Sequence, residues 1–312
     1  MNNTKKANPG YLELFSTGEI DKRVIFLKKL YSKCCLCPHT CGIDRNSGEK
    51  GICRSGNLPK VASYNVHYGE EPPISGSKGS GTIFFSGCTG RCLYCQNYPI
   101  SQLGVGNEVT EDRLAEMMME LQDRGCHNIN FVTPTHFAPS IVSAIRIAAS
   151  RGLKIPIVYN TSGYERVEIL RLLAGIVDIY LPDAKYSSDV EAKELSGFEN
   201  YIENNRAALF EMYQQVGNLK KYRGIAVKGL LVRHLILPEN LAGTFETMKY
   251  LSSKISPDVF VSLMGQYFPA YQALKIQHMN RRISIAEYKQ ALQSYEENGL
   301  NNGWIQKYSD MS

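Results

Sequence analysis

The sequence predicts an α/β fold, an open (βα)6 partial TIM barrel preceded by a cysteine-rich module. From residue 82 onward, short apolar runs alternate with segments whose apolar residues recur at helical spacing. This alternation is typical of βαβ units and a parallel sheet. Six such units can be traced, fewer than the eight that close a full barrel. Five cysteines precede the first unit, in a Gly-rich stretch with little periodicity.

Size and charge are those of an ordinary globular protein. The chain has 312 residues, of which 43% are hydrophobic and 21% charged, with a formal net charge of +5. So mild a positive balance does not indicate a nucleic-acid surface. The apolar runs are far shorter than the ~20 residues of a membrane-spanning helix, and Met1–Gly10 lacks the apolar core of a signal peptide. We therefore expect a cytoplasmic protein with no membrane or nucleic-acid partner.

This expected location decides how the nine cysteines are interpreted. Disulfides are rare in a reducing compartment, so clustered cysteines there indicate metal or redox chemistry. Eight of the nine form two groups, which are Cys34, Cys35, Cys37, Cys41 and Cys53, and Cys88, Cys92 and Cys95. Cys126 stands alone before an apolar run and is interpreted as a buried, inert thiol.

The elements are predicted in chain order. Residues 1–33 form an arm with one short helix, and residues 70–81 form a loop because they contain Pro72–Pro73. The predicted strands are Thr82–Phe85, Asn128–Val132, Ile155–Tyr159, Ile176–Leu181, Leu230–Ile236 and Val259–Leu263. Helices are predicted between them, including Val167–Leu173. A C-terminal helix opens with Ser284 and Glu287, a capping-box pattern.

Three parts follow from this order. Residues 1–75 are expected to form the arm and a cysteine-rich metal module, residues 76–285 the barrel, and residues 286–312 a C-terminal helix and tail. The stretch 186–229 is longer than one crossover needs. We expect it to hold two helices and to offer a surface for a substrate or a partner.

The strongest signal is Cys88-Thr-Gly-Arg-Cys92-Leu-Tyr-Cys95, a C-x3-C-x2-C spacing directly after the first predicted strand. A tight loop of this kind aims three thiolates at three corners of a cubane. A 4Fe–4S cluster normally takes four thiolates, so three leave one iron open. Structural zinc usually takes C-x2–4-C pairs and needs a fourth ligand nearby. The spacing, the aromatic Tyr94 and the preceding strand therefore favour a 4Fe–4S cluster over a zinc knuckle.

This motif and its surroundings resemble the radical SAM superfamily, and within it the proteins related to pyruvate formate-lyase activating enzyme. The resemblance covers nearly the whole chain and rests on four segments, which are Cys35–Arg45, Gly48–Cys53, Gly69–Gly76 and Ser86–Asn97. It implies a barrel of the radical SAM type in an activating-enzyme-like oxidoreductase. S-adenosyl-L-methionine would chelate the open iron, and one electron would cleave it reductively. The resulting 5′-deoxyadenosyl radical would abstract hydrogen from a substrate.

Polar residues follow each predicted strand, at the end of an α/β barrel where active sites form. Related activating enzymes have Ser-Gly-Gly-Glu after the second strand, which holds the amino group of S-adenosylmethionine. This chain departs from that pattern with Thr133-Pro134-Thr135-His136. The candidate cofactor-binding residues are Tyr94, Thr133, Thr135, His136, Asn160, Ser162, Asp183 and Lys185. No catalytic residue is assigned.

Each of these residues also has a structural interpretation. Asn160 and Ser162 fit helix caps, Asp183 and Lys185 fit a rim ion pair of little energetic weight, and His136 fits a packed, hydrogen-bonded residue. Arg233 and His234 are neighbours in the fifth predicted strand. Because side chains alternate along a strand, only one of those two can face the barrel interior.

The N-terminal cysteines predict a second metal site. Cys34-x2-Cys37-x3-Cys41-x11-Cys53 offers four ligands, with Cys35 as an alternative to Cys34, and His39 or His67 as substitutes for one thiolate. A metal would supply folding free energy that this small segment lacks. Zinc and a second iron–sulfur cluster both suit four thiolates, and reduced thiols in a loop are the remaining interpretation. Four protein ligands leave no open position, so we expect a structural role and sulfurs that converge on one point.

Three functions and one kind of electron donor follow. The chain generates a glycyl radical on a partner enzyme, or modifies another peptide or small molecule, or is a non-catalytic iron–sulfur or zinc protein. No Gly-x-Gly-x-x-Gly turn follows a predicted strand, so the chain has no flavin-binding signature. We therefore expect flavodoxin or ferredoxin to supply the electron.

Overall fold

The computed structural model describes residues 8–306. The first residues of the predicted arm and the end of the predicted tail, 1–7 and 307–312, lie outside the described residues. The helices are α1 Tyr11–Ser16, α2 Glu19–Lys29, α3 Pro72–Ser75, α4 Tyr98–Ser101, α5 Glu111–Asp123, α6 Ala138–Ser150, α7 Val167–Leu173, α8 Asp189–Ser196, α9 Tyr201–Val216, α10 Thr244–Tyr250 and α11 Ile285–Glu297. None of the helices between residues 8 and 306 has the length and apolar character needed to cross a membrane.

One sheet of ten strands organises the fold. The strands are β1 Lys60–His67, β2 Ser80–Phe85, β3 Asn107–Glu108, β4 Ile129–Val132, β5 Ile157–Thr161, β6 Ile179–Pro182, β7 Lys220–Tyr222, β8 Ile225–Leu235, β9 Phe260–Met264 and β10 Gly303–Ile305. Their order is β10-β9-β8-β6-β5-β4-β2-β1-β3, and β7 pairs with β8. Strands β2, β4, β5, β6, β8, β9 and β10 run parallel, whereas β1, β3 and β7 pair antiparallel. Over the described residues the two edges do not meet, so the predicted open partial barrel is confirmed.

Most predicted elements occur within a few residues of their predicted bounds. All six predicted strands are present, the stretch 186–229 holds α8 and α9, and α11 begins with the capping box of Ser284 and Glu287. Three predictions were wrong or incomplete. The arm contains two helices rather than one, the loop 70–81 contains α3 and the first residues of β2, and α4 and the strands β1, β3, β7 and β10 were not predicted. Helix α3 begins with Pro72 at its first position, where proline's fixed φ and missing N–H favour a helix start.

Alternation along the strands divides the barrel interior into an apolar floor and a polar upper layer. The floor is a cluster formed by Ile74 of α3 with Val158, Ile179, Leu181, Ala226 and Leu231. Two residues further along their strands come Asn160 after Val158, Asp183 after Leu181 and Arg233 after Leu231. Because the period of a strand is two, each polar side chain lies on the same face as its apolar predecessor, nearer the carboxyl end. The sheet therefore collects polar groups at the carboxyl ends of its strands.

The N-terminal arm is anchored far along the chain. Helices α1 and α2 pack against α6, and the backbone N–H of Gly10 donates to Asp178 Oδ1 at 2.9 Å. The second oxygen of Asp178 accepts from the N–H of Ile157 at 2.9 Å. Burial raises the pKa of Asp178 to about 7, even though both hydrogen bonds act in the opposite direction. One buried carboxyl thus ties the arm to the start of β5 and β6.

Candidate active site

The loop Cys88–Cys95 follows β2 at the carboxyl end of the barrel and is held by backbone hydrogen bonds. The N–H groups of Arg91 and Leu93 donate to the carbonyls of Ser196 and Leu195, each at 2.8 Å. These carbonyls belong to the last turn of α8, where they have no partner within the helix. The end of α8 therefore positions the middle of the cysteine loop.

Each of the three loop sulfurs has a polar neighbour within hydrogen-bonding distance. Cys88 Sγ accepts from the N–H of Gly90 at 3.3 Å, Cys92 Sγ accepts from the Ser196 hydroxyl at 3.0 Å, and Cys95 Sγ lies 3.1 Å from the Ser101 hydroxyl. Hydrogen bonds to cysteine sulfur are one of the factors that set the reduction potential of iron–sulfur clusters. Burial, and then the charge of Cys92, raises the pKa of Cys88 to about 12, so cluster binding would displace a proton. The three side chains have the chemistry of thiolate cluster ligands, and each has a hydrogen-bonding neighbour of the kind that cluster sulfurs use.

A cavity of about 200 Å³ opens beside Cys92 and Cys95. It brings together three of the predicted cofactor residues, Tyr94, Asp183 and Lys185. Arg233 and Gln266 line it as well. A polar cavity next to the cysteine loop, at the carboxyl ends of β6, β8 and β9, is where a barrel of this kind binds its ligand.

The polar groups of this cavity form a buried chain of ion pairs. Asp183 accepts from Lys185 Nζ at 2.7 Å and from Arg233 Nε at 2.9 Å, and Arg233 Nη1 lies 3.8 Å from Glu70 Oε2. Asn160 accepts from Arg233 Nη2 at 2.7 Å. Burial by itself raises the pKa of Asp183, but Arg233 and Lys185 outweigh it and hold this pKa below its usual value. Asp183 and Lys185 therefore do form an ion pair at the rim, but their side chains are only 14% and 17% exposed, so it is not a solvated surface pair.

The other predicted cofactor residues lie outside this cavity. The Thr133 hydroxyl donates to the carbonyl of Phe85 at 3.2 Å, and the Thr135 hydroxyl bonds to the carboxylate of Glu165. Ser162 is buried directly after the end of β5. The role of these residues in cofactor binding stays a prediction.

Glu165 is a buried carboxyl that the sequence did not single out. It accepts from the hydroxyls of Thr135 and Thr161, and its Oε2 has no hydrogen-bond partner within the described chain. Burial raises its pKa to about 7, although both threonine hydroxyls lower it. No spacing or motif marks this residue, because its partners come from the ends of two different strands.

The alternation predicted for Arg233 and His234 is confirmed. Arg233 lines the cavity, whereas His234 is fully buried, with Nδ1 2.6 Å from the carbonyl of Ala184 and Nε2 3.0 Å from the Thr244 hydroxyl. Burial lowers the pKa of His234 to about 4. His234 is therefore a neutral packing residue between the sheet and α10.

The N-terminal cysteines surround a second, much smaller cavity. Cys34, Cys37, Cys41 and Cys53 all line it. Cys35 does not, and its carbonyl accepts from Arg166 at 2.9 Å. Of the two histidines proposed as substitutes, His39 bonds to the carbonyl of Thr89 and His67 lies in β1. Within residues 8–306, no group of three or more His, Cys, Asp or Glu side chains is arranged to hold a metal ion, and this includes both cysteine groups. The second metal site therefore stays a prediction.

Arg45 and His136 join the N-terminal cysteines to the barrel. Arg45 is 1% exposed and donates to the carbonyls of Gly56 and His136, the latter at 2.6 Å. His136 lines the small cavity, and its Nε2 lies 2.9 Å from the carbonyl of Ser86. Burial lowers the pKa of His136 to about 3. The predicted cofactor residue His136 thus lies between the two cysteine groups.

A close backbone contact completes this junction. Gly87 has a φ of 78°, and a Cβ built there would lie 2.5 Å from the carbonyl oxygen of Cys53. Only glycine fits such a contact at positive φ without strain. The two cysteine groups are therefore packed backbone to backbone.

Comparison with known proteins adds a family and a fold. Residues 82–251, more than half of the chain, match the radical SAM superfamily. A curated relative from Methanocaldococcus jannaschii, itself described as uncharacterized, is 29% identical over 304 residues, which cover 93% of this chain and 82% of that protein.

Two solved structures share the fold at low identity. A radical SAM methyltransferase from Sphaerobacter thermophilus aligns with a TM-score of 0.50 at 15% identity, over 72% of this chain and 65% of that chain. A maturase of the FeFe-hydrogenase, HydG, aligns with a TM-score of 0.50 at 13% identity, over 73% and 51%. This chain therefore spans less than two thirds of the length of either structure.

Proposed function

The chain belongs to the radical SAM superfamily, and from this premise we propose that Cys88, Cys92 and Cys95 ligate the 4Fe–4S cluster of an enzyme that cleaves S-adenosylmethionine. The observation that carries the proposal is the cavity that joins Cys92 and Cys95 to Asp183 and Lys185. When bound, the cluster supplies the electron that cleaves S-adenosylmethionine to methionine and a 5′-deoxyadenosyl radical. The protein's part is to bind, orient and shield the reactants.

The residues around the cavity have chemistry suited to S-adenosylmethionine. The Lys185 ammonium is a donor for its carboxylate, and Asp183 is an acceptor for its amino group or ribose hydroxyls. Tyr94 is held in place by a chain of hydroxyls, 2.7 Å to Tyr186 and from there 2.6 Å to Ser196, which bonds Cys92. We assign Tyr94 and Tyr186 as positioning residues for the cluster side of the cavity.

The hydrogen donor is a separate part of the proposal. The resemblance to pyruvate formate-lyase activating enzyme supports an oxidoreductase that takes hydrogen from a glycine of a partner protein. The alternative is another peptide or a small molecule. Fold does not decide between them, because one fold carries many reactions and one of the structural neighbours is a methyltransferase.

One experiment tests the radical reaction and its electron source. We expect anaerobically reconstituted protein, with S-adenosylmethionine and reduced flavodoxin or ferredoxin, to form 5′-deoxyadenosine, measured by chromatography. Deuterated candidate substrates then show which one transfers deuterium to this product. A reduced, cluster-loaded sample that forms no 5′-deoxyadenosine would favour the non-catalytic iron–sulfur protein. Turnover with a nicotinamide cofactor alone would contradict the need for a protein carrier.

We also propose that Cys34, Cys37, Cys41 and Cys53 hold a single structural metal ion, most consistent with zinc. Three of the four are at most 9% exposed, and Gly51 lets the backbone approach Cys41, since a Cβ there would lie 2.7 Å from Cys41 Sγ. The cavity measures about 10 Å³, roughly the space of one water-sized sphere. A lone tetrahedral ion fits that space better than a four-iron cubane.

Metal analysis of variants tests this second site. In a Cys88→Ala/Cys92→Ala/Cys95→Ala background, we expect zinc to remain bound and iron to be absent. Adding Cys37→Ser should release the zinc and lower the melting temperature, because a thiolate ligand is lost. Cys35→Ser is the matched control and should retain zinc, since Cys35 does not line the cavity. Retained iron in the triple variant would instead indicate a second cluster, and equal metal content in the Cys37→Ser and Cys35→Ser proteins would refute the site.

A further inference from the structure

A second large cavity adjoins the one beside the cysteine loop. It measures about 260 Å³ and lies at the open side of the barrel, between the loop that carries Glu70 and Glu71 and the last two parallel strands. Arg233, Met264 and Gln266 line both cavities and form the partition between them. A molecule in this second cavity would therefore be a direct neighbour of one bound beside Cys92 and Cys95.

Two residues that line this second cavity each have a buried hydrogen-bond acceptor without a partner in the described part of the chain. Glu71 is 8% exposed, and its Oε2 has no hydrogen-bond partner in the described part of the chain. Gln306 Oε1 is likewise buried without a partner there. An unpaired buried acceptor costs about 1–3 kcal/mol, and more when it is charged. Both residues line the cavity, so a ligand there that donates hydrogen bonds would offer these atoms a partner.

The charged residues around the cavity also favour a cationic ligand. In the described part of the chain, the charged residues that line this cavity are two carboxylates, Glu70 and Glu71, and one cation, Arg233, which is already engaged with Asp183 at 2.9 Å. Burial, with a further contribution from Glu71, raises the pKa of Glu70 to about 7 even though Arg233 lowers it. Arg233 lies 3.8 Å from Glu70, whereas Glu71 forms no ion pair within the described residues, and one organic cation would provide its partner.

We propose that this cavity binds the hydrogen-donating substrate through a cationic group, an ammonium or guanidinium of the lysine or arginine type, held by Glu71 beside Arg233. The inference rests on the proposed function, because it assigns a substrate class to the same site. Trp304 lines the cavity and is 48% exposed. Its indole ring is therefore partly open to solvent, and an aromatic face of this kind attracts a cation.

Trp304 also makes the test direct, since it is the only tryptophan of the chain. Reconstituted protein is titrated with capped lysine, capped arginine and the uncharged analogue capped norleucine, and tryptophan fluorescence is recorded. We expect saturable changes with the two cationic probes and roughly tenfold weaker binding of norleucine, because a charge-assisted hydrogen bond is lost. Equal binding of norleucine, or no fluorescence change with any probe, would overturn the assignment.

Two variants complete the experiment. Glu71→Gln keeps the shape and removes the charge, and we expect it to weaken lysine binding about tenfold. Glu246→Gln, on the exposed face of α10, is the matched control and should bind like the wild type. Unchanged affinity in Glu71→Gln would refute the role of this carboxylate. Fluorescence needs no turnover, so loss of probe binding with normal 5′-deoxyadenosine formation rejects this inference alone, whereas loss of 5′-deoxyadenosine formation rejects the proposed function.

Discussion

A Cys92→Ala protein, reconstituted anaerobically, is expected to form no 5′-deoxyadenosine from S-adenosylmethionine. Three thiolates are the minimum that leaves a cubane with a single open iron. Cys92 lines the cavity together with Cys95, and its sulfur accepts from the Ser196 hydroxyl. We expect the visible absorption of the cluster to fall with the activity. The measurement is chromatographic quantification of 5′-deoxyadenosine beside the absorption spectrum.

Cys126→Ala is the control for that experiment. Cys126 is 3% exposed and belongs to neither cysteine group, so its loss removes a buried thiol without removing a ligand. We expect this variant to keep its cluster and its cleavage activity. Wild-type cleavage by Cys92→Ala would remove the central claim about the site.

An Asp183→Asn protein is expected to lose about 3–5 kcal/mol of unfolding free energy, the usual cost of leaving a buried charge without its partner. Asp183 is the only carboxylate within 3 Å of either Lys185 or Arg233 in the described chain. Asparagine keeps the shape but leaves the two buried cations facing each other. We expect weaker binding of S-adenosylmethionine as well. Chemical denaturation gives the first quantity and equilibrium binding the second.

The control for this prediction is Asp112→Asn, which breaks a surface pair. Asp112 lies 2.7 Å from Arg151, but the two side chains are 66% and 38% exposed, so the expected loss is at most about 1 kcal/mol.

The pH dependence of the stability that Asp183 contributes also has a defined direction. Because the pKa of Asp183 is lowered in the folded protein, its contribution is present above the unfolded pKa and is lost as the pH falls through the folded one. Wild type and Asp183→Asn should therefore converge in acid, and a constant difference at all pH values would contradict the ion-pair explanation.

The barrel could be predicted because its signal is local. Val167–Leu173 was predicted to the residue, since apolar spacing alone defines that helix. Strand β1 was not predicted because only Val61 of its eight residues is buried. It also pairs antiparallel to β2, outside the βα rhythm. Strand β10 is only three residues long, too short for any periodicity to show.

The site residues that could be predicted are likewise those whose signal is local in the sequence. Cys88, Cys92 and Cys95 share one loop, so their spacing in sequence carries the chemistry. Positions after strands also indicated Asp183 and Lys185, because every strand end of a parallel barrel faces the same side. Position does not determine which way a side chain turns. Thr135 therefore bonds an internal carboxylate, and His136 lies against the N-terminal cysteines.

Glu70 and Glu71 show the limit of sequence reasoning most clearly. They lie in the segment Gly69–Gly76, which carries part of the family resemblance, but nothing in that segment marks Glu70 as a partner of Arg233 in β8. Only the closure of the fold brings residues so distant in sequence within 3.8 Å of each other. Long-range electrostatic partners of this kind leave no pattern in a single sequence.

The bond between Gly10 and Asp178 has a consequence for biosynthesis. Synthesis proceeds from the N terminus, so helices α1 and α2 leave the ribosome well before β6, 168 residues downstream of their anchor. The cysteines at 34–53 emerge in that same interval, before the barrel that later covers them exists. They are then open to a metal donor, and an early-bound ion would preorganise the segment for docking. We expect nascent chains truncated before Asp178 to accept zinc while remaining sensitive to protease at residues 11–29, with protection arriving only once β6 is made.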